Sequence, residues 1–310
     1  MKVAIIGAGN VGATLAYTLL VDGAANTISL IDVNAEKALG EVLDLSHGVS
    51  FAENIDIRAE GYEGVRDADV IVITAGRGRK PDESRLDLAR ANVKICEGIV
   101  ESIKSHYRGS ILVVVSNPMD ILTYVTFKRM GIDKSKVVGS GTALDTSRFK
   151  YLLGQEFDID PRNIHAYIIG EHGDSSVPVW SMANMGQIPV GCYANVRRGV
   201  LSTEDEQRIY HAVVSAGKEV IKRKGATFYA VALSVSRIVE SMLHNEKSIF
   251  TVSSYIESFN SITDVCLSLP AVLTRDGIRE ILPISLSAEE KEKLSNSAAV
   301  LKKMLREIGY

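Results

Sequence analysis

Three glycines and one carboxylate give the beginning of this chain its chemistry. The apolar run Val3-Ala4-Ile5-Ile6 leads straight into Gly7-Ala8-Gly9-Asn10-Val11-Gly12. Asp32 closes a second apolar run, Ile28-Ser29-Leu30-Ile31, twenty residues after Gly12. Each residue type has a mechanical use at that spacing. Gly7 permits a tight turn out of a strand, Gly9 lets the backbone approach a pyrophosphate, and Gly12 lets a helix lie close on the sheet. The helix N-terminus then presents free N–H groups to phosphates. A carboxylate at Asp32 accepts both hydroxyls of an adenosine ribose and repels a 2′-phosphate, so NAD is expected rather than NADP.

A dinucleotide domain implies hydride chemistry, and taking a hydride from an alcohol needs a base for the hydroxyl proton. His47, His106, His211 and His244 sit in helix-like, mixed polar surroundings that suit packed or solvated histidines. His172 differs, because Gly170-Glu171-His172-Gly173-Asp174-Ser175 follows a strand-like run directly. Its flanking glycines keep the backbone thin for an approaching substrate, although a plain loop histidine has the same local pattern. Asp145 and Arg148, three apart in Leu144-Asp145-Thr146-Ser147-Arg148, share one face of an expected helix. On their own they read equally well as a surface ion pair. The segment Arg77-Gly78-Arg79-Lys80-Pro81-Asp82-Glu83-Ser84-Arg85 reads as a charged surface loop, or as a lid because it follows a buried strand.

Elements of two kinds must position these residues. Val70–Gly76 and Ile111–Pro118 are continuous β-branched runs of the kind buried on both faces of a parallel sheet, and Leu86–Lys104 between them reads as a helix. This alternation predicts an α/β fold with a doubly wound parallel sheet, whose ligands bind at the carboxyl edge. After His165–Gly170, read as one more strand, long helices are expected over Ser202–Lys224 and Ala226–His244. A last helix starts at a capping box, Ser287 to Glu290, with one apolar stripe of Leu294, Ala298, Leu301, Leu305 and Ile308. The division read from this is a dinucleotide-binding domain over 1–141 and an α+β substrate domain over 142–310.

The 310 residues are 46% hydrophobic and 24% charged, with a formal net charge of −3, which gives no reason to expect nucleic-acid or membrane partners. Cys96, Cys192 and Cys266 lie far apart with no Cys-x-x-Cys spacing. That suits a reducing compartment, with neither a disulfide framework nor a metal site. The apolar stretch after Met1 is too short for a signal peptide, so a cytoplasmic setting is expected.

Six segments occur in order with consistent spacing: Gly-Ala-Gly-Asn-Val-Gly, Ile-Thr-Ala-Gly, Lys-Pro-x-Glu-Ser-Arg-Leu-Asp-Leu, Val-Ser-Asn-Pro-Met-Asp, Asp-Thr-Ser-Arg-Phe and Gly-Glu-His-Gly-Asp-Ser. Through them the chain resembles the L-lactate/malate dehydrogenase family over essentially its whole length, most of all the bacterial L-lactate dehydrogenases. The resemblance implies a Rossmann domain, NAD as cofactor, a 2-keto or 2-hydroxy acid substrate and a homotetramer. It makes His172 the proton carrier with Asp145 behind it, Arg148 the clamp on the substrate carboxylate, and Arg85 the lid arginine that polarises the reacting carbonyl. Asn117 falls between nicotinamide and substrate, and Thr227 is a pocket residue of the lactate type. The cofactor positions carried over are Gly7, Gly9, Val11, Gly12, Asp32, Tyr62, Gly76, Asn117 and Ser140.

The chain departs from the lactate pattern at Arg79, where lactate dehydrogenases usually carry glutamine and malate dehydrogenases arginine. A guanidinium closed over a methyl group is a desolvated, unpaired charge, at a cost on the order of several kcal/mol. Against a second carboxylate it gains a charge-assisted partner worth roughly 1.5–3 kcal/mol. Arg79 therefore predicts oxaloacetate/malate, while Thr227 and Glu83–Leu88 keep pyruvate/lactate as the alternative. Asp82 also replaces the usual glycine after Pro81. For regulation, His165 matches one residue of a fructose 1,6-bisphosphate site, but Lys150 stands where its arginine is expected, which predicts weak activation or none. Two remote readings are a short-chain reductase, from the Tyr-x-x-x-Lys spacing of Tyr124 and Lys128, and a non-catalytic NAD-binding protein.

Overall fold

Strands with apolar residues on both faces make the first part of the fold. The computed structural model describes residues 1–78, 83–197 and 201–310, so the expectations resting on Arg79 and Asp82 lie outside the described residues. β1 (Lys2–Ile6), β2 (Thr27–Ile31), β3 (Asp56–Ala59), β4 (Val70–Ile73), β5 (Ile111–Val114) and β6 (Val137–Gly139) stand in the order β3-β2-β1-β4-β5-β6. All neighbours in this set are parallel. Two cores follow from the alternation of their side chains. Val3, Ile5, Val70 and Val72 pack on one face, with α1 (Asn10–Asp22) and α2 (Ala35–His47). Ala4, Ile6, Ile71 and Ile73 pack on the other, with α3 (Arg85–Lys104) and α4 (Met119–Met130). This is the doubly wound sheet expected from the sequence.

A smaller α+β region follows, around a third core that includes Phe149, Leu153, Ile164 and Val213. It contains α5 (Ala143–Phe157), the short strands β7 (Ile164–His165), β8 (Ile168–Ile169), β9 (Val177–Pro178), β10 (Asn184–Met185) and β11 (Ile188–Pro189), then α6 (Val190–Arg197) and α7 (Thr203–Lys224). The stretch 165–170 is not one strand. β7 pairs with β10 and β8 with β9, so the chain changes partners between His165 and Ile168.

The third part closes the molecule: α8 (Tyr229–Leu243), β12 (Ile249–Ile256), β13 (Val265–Thr274), β14 (Gly277–Ile281) and α9 (Ala288–Glu307). The helix expected from Ala226 starts instead at Tyr229. Gly225 ends α7 at φ +82°, a left-handed position that suits glycine, and leaves Thr227 in the connection. The three strands were not anticipated. β12 joins β6 antiparallel at Ser253 and Gly139, and the sheet runs on through β13 and β14 to nine strands. The expected capping box is present, Ser287 accepting from Glu290 N–H and Glu290 from Ser287 N–H. Leu294, Ala298, Leu301 and Leu305 are buried, while Ile308 lies just past the helix end. Among the described residues no helix is long and apolar enough to cross a membrane.

Candidate active site

The glycine turn shapes a cleft of about 710 Å³ at the carboxyl edge of β1 and β2, lined by Gly7, Gly9, Asp32, Tyr62 and Gly76 with Ile95 and Ile99 of α3. Gly7 has φ +113°, and a Cβ there would stand 2.6 Å from the Ala75 backbone nitrogen. A Cβ on Gly12 would stand 1.8 Å from the Gly7 carbonyl oxygen, so α1 is pressed onto the turn. Gly9 faces open space instead. It caps α1 in an extended conformation with no side-chain cap, which leaves the helix's first N–H groups for an anion. Asp32 is fixed by two backbone donors, Ala8 N–H at 2.7 Å and Asn34 N–H at 2.9 Å. A carboxylate so held still has lone pairs for two ribose hydroxyls.

Of the other cofactor positions, Val11 and Gly12 pack within the turn and the start of α1, and Ser140 follows β6 at the same sheet edge. Asn117 belongs to the adjoining cavity. Val33, Lys37 and Thr74 also line the cleft and were not singled out in the sequence. Their proximity to Asp32 and Gly76 was the available signal.

The second cavity, about 340 Å³, gathers Arg85, Asn117, Asp145, Arg148, His172 and Thr227 from five separate stretches of chain. Asp145 is buried on the first turn of α5 and serves two cations. Its Oδ2 accepts His172 Nδ1–H at 2.6 Å, and its Oδ1 accepts Arg148 Nη1–H at 2.9 Å. Burial opposes charge on the imidazole, but the adjacent Asp145 outweighs it, and the His172 pKa is pushed up to about 9. Burial likewise opposes ionisation of Asp145, yet His172 and Arg148 together hold its carboxyl below the usual range. The surface-pair reading of Asp145 and Arg148 therefore gives way to a triad around a buried carboxylate, with Arg148 and His172 half-buried on either side.

Arg85 lines this cavity, but its half-exposed guanidinium pairs with Asp174, two residues after His172. Lys218 Nζ reaches the same carboxylate at 3.2 Å. Val214, Gly217, Lys218 and Ile221 of α7 form a wall that the sequence reading missed. Their i, i+3, i+4, i+7 spacing was the signal for it. Lys150 on α5 and His165 on β7 do not line either space. Neither do Tyr124 and Lys128, whose side chains both donate to Asp264. Glu240, His244 and Glu246 come close together on the far side of the fold, where Arg237 already pairs both carboxylates.

An open α/β sheet with a glycine-turn cleft, beside a cavity where an imidazole and a guanidinium share one carboxylate, fits a nicotinamide-dependent oxidoreductase. Residues 1–139 match the lactate/malate dehydrogenase NAD binding domain, and residues 142–309 match the lactate/malate dehydrogenase alpha/beta C-terminal domain. The L-lactate dehydrogenase of Thermoanaerobacter pseudethanolicus is 48% identical over 307 residues, 99% of both chains. That of Acetivibrio thermocellus is 46% identical over 305 residues, 98% of this chain and 96% of the other. A lactate dehydrogenase from a Medee basin deep-sea metagenome library superimposes with a TM-score of 0.96 at 40% identity, covering 100% of this chain and 99% of that one. The minor L-lactate dehydrogenase of Enterococcus mundtii gives 0.94 at 39% identity, over 98% and 97% of the two chains. The chain belongs to the lactate/malate dehydrogenase family. It is an NAD-dependent oxidoreductase acting on a CH–OH group.

Proposed function

We propose that the protein interconverts pyruvate and L-lactate. The observation that carries a 2-keto acid is the sharing of Asp145 by His172 and Arg148 on one wall of the cavity. The choice of pyruvate within that class is supported by relatives near half identity over the whole chain that bear the name L-lactate dehydrogenase. The expectation of oxaloacetate from Arg79 finds no support among those relatives.

In this reading Arg148 holds the substrate carboxylate by two parallel N–H bonds, a geometry unavailable to lysine. The glycine turn and Asp32 would hold NADH, whose chemistry there would be hydride donation. His172, kept as imidazolium by Asp145, gives its proton to the ketone oxygen and recovers it in the reverse direction. Arg85 leaves Asp174 to face the oxygen as charge grows there. Residues 1–141 carry the cofactor, and 142–310 carry most of the substrate contacts. Arg85 and Asn117 cross from the first part to the second.

The residue type at Arg79 leaves oxaloacetate as a second reading, because a guanidinium favours a second carboxylate. Measuring kcat/KM for pyruvate and oxaloacetate with NADH decides between them. A preference for pyruvate supports the main reading, and a preference of about 10²-fold for oxaloacetate, reversed by Arg79→Gln, supports the second.

Exposed Tyr17 and Val21 on α1, with Tyr229 and Leu233 on α8, support association of several copies, and the homotetramer is the assembly proposed. Lys150 offers phosphate a point charge without a fork, so activation by fructose 1,6-bisphosphate is expected to be weak or absent. Unpaired cysteines agree with the proposed cytoplasmic setting.

A further inference from the structure

We infer that Asp120 is a positioning residue for the imidazole: it anchors the backbone of His172 and, together with Asp145, supplies the negative charge that keeps the ring protonated. Asp120 is 3% exposed, on the first turn of α4, three residues after Asn117. Its Oδ2 accepts the His172 backbone N–H at 2.7 Å, and its Oδ1 accepts Ser253 Oγ–H from β12 at 2.6 Å. One carboxylate thus joins α4, the His172 loop and the antiparallel strand that extends the sheet. The loop is also held from α9, where Ser297 Oγ accepts Glu171 N–H at 2.8 Å. Two consecutive backbone N–H groups, those of Glu171 and His172, are therefore fixed.

The choice of a carboxylate is the informative part. An asparagine would accept the same N–H and donate to the same hydroxyl, without the cost of burying a charge. Both protein partners of Asp120 are neutral donors, so hydrogen bonding does not by itself account for an acid there. The charges that favour an anion are the imidazolium of His172 and the N-terminal end of α4. His172 in turn faces Asp145 and Arg148 from α5 and Asp120 from α4. The cavity adds Glu171 and Asp174 from the same loop, Arg85 from α3 and Lys218 from α7. Asp120 also lies within electrostatic reach of Glu171 and of the Cys266 thiol on β13. Burial pushes the Asp120 pKa up to about 7, with Ser253 and His172 working against that rise. Two carboxylates with distinct affinities for protons thus hold His172, Asp145 at the ring and Asp120 at the backbone.

This inference rests on His172 as the proton carrier, but its test reads the ring directly in cofactor-free protein. NMR of labelled histidine, with the His172 signal assigned by its loss in His172→Asn, follows the titration in the wild type and in Asp120→Asn. In folded Asp120→Asn the His172 midpoint is expected to fall by about one pH unit. In the wild type the His172 signal is expected to respond twice, near pH 7 as Asp120 titrates and near pH 9 as the ring does. The pH profile of keto-acid reduction is expected to move down with the midpoint. An unchanged midpoint in folded Asp120→Asn overturns the inference. If that variant does not fold, Ser253→Ala replaces it: loss of this donor is expected to raise the lower of the two responses of the His172 signal, and a titration identical to wild type overturns the inference. Failure of turnover with any keto acid would count against the proposed function and leave this titration intact.

Discussion

The imidazole of His172 and the guanidinium of Arg148 take opposite oxygens of one buried carboxylate, Asp145, at 2.6 and 2.9 Å. The proposed proton carrier and the proposed carboxylate clamp are therefore oriented by the same group. Any displacement of Asp145 moves both, so the two roles are mechanically linked and their mutational costs will not add.

Replacement of His172 by asparagine is expected to lower kcat by about 10²–10⁴, the usual contribution of a positioned acid or base, with NADH affinity within about twofold of wild type. Stopped-flow turnover and NADH fluorescence give the two readings. Asp145→Asn is expected to impair both chemistry and substrate affinity, because Arg148 loses its orienting partner too. Full turnover by His172→Asn would remove the proton-carrier role.

Reduction of a keto acid needs the imidazolium, so kcat/KM in that direction is expected to hold up to about pH 9 and decline above it. Oxidation of the hydroxy acid needs the neutral ring and is expected to rise over the same range. Stability follows the same group. Its affinity for a proton is raised above the ordinary 6.5 in the fold, so its contribution is complete below pH 6.5 and is lost as pH rises through about 9. The Tm difference between wild type and His172→Asn should shrink across that window. A difference constant from pH 6 to 10 would contradict the linkage.

Gly9 and Gly12 separate binding from folding. Gly9→Ala meets open space and should fold with an unchanged Tm, yet weaken NADH by placing a methyl where the pyrophosphate approaches. Gly12→Ala sets a Cβ 1.8 Å from the Gly7 carbonyl oxygen and should lower Tm, since α1 must lift from the turn at a cost of about 1–3 kcal/mol. Thermal melts with and without NADH distinguish the two, and a stable Gly12→Ala would show that α1 can move freely.

The legible parts of the site were those whose chemistry is local. Gly7, Gly9, Gly12 and Asp32 fall within one strand–helix–strand unit, and their spacing carries their mechanics. The capping box of α9 was readable for the same reason, since Ser287 and Glu290 satisfy each other within a single turn. β12 to β14 escaped notice although Ile249–Ile256 and Val265–Thr274 are rich in residues that suit strands. The pairing of β12 with β6, through which all three join the sheet, is a contact across more than a hundred residues, which no local period reports. The surface reading of Asp145 and Arg148 failed similarly, because helical spacing says which face two residues share and not what covers that face.

The sequence by itself determined the glycine turn, the acid at Asp32 beside it, and the parallel strands that carry both. These depend on backbone sterics and hydrophobic period over short spans. Only the tertiary structure decided that Asp145 is buried between His172 and Arg148, that Arg85 rests on Asp174, and that Asp120 holds the His172 backbone. Those outcomes depend on distance and desolvation between segments remote in the chain. Charge and proton affinity are set there, because a carboxylate's behaviour follows from what surrounds it.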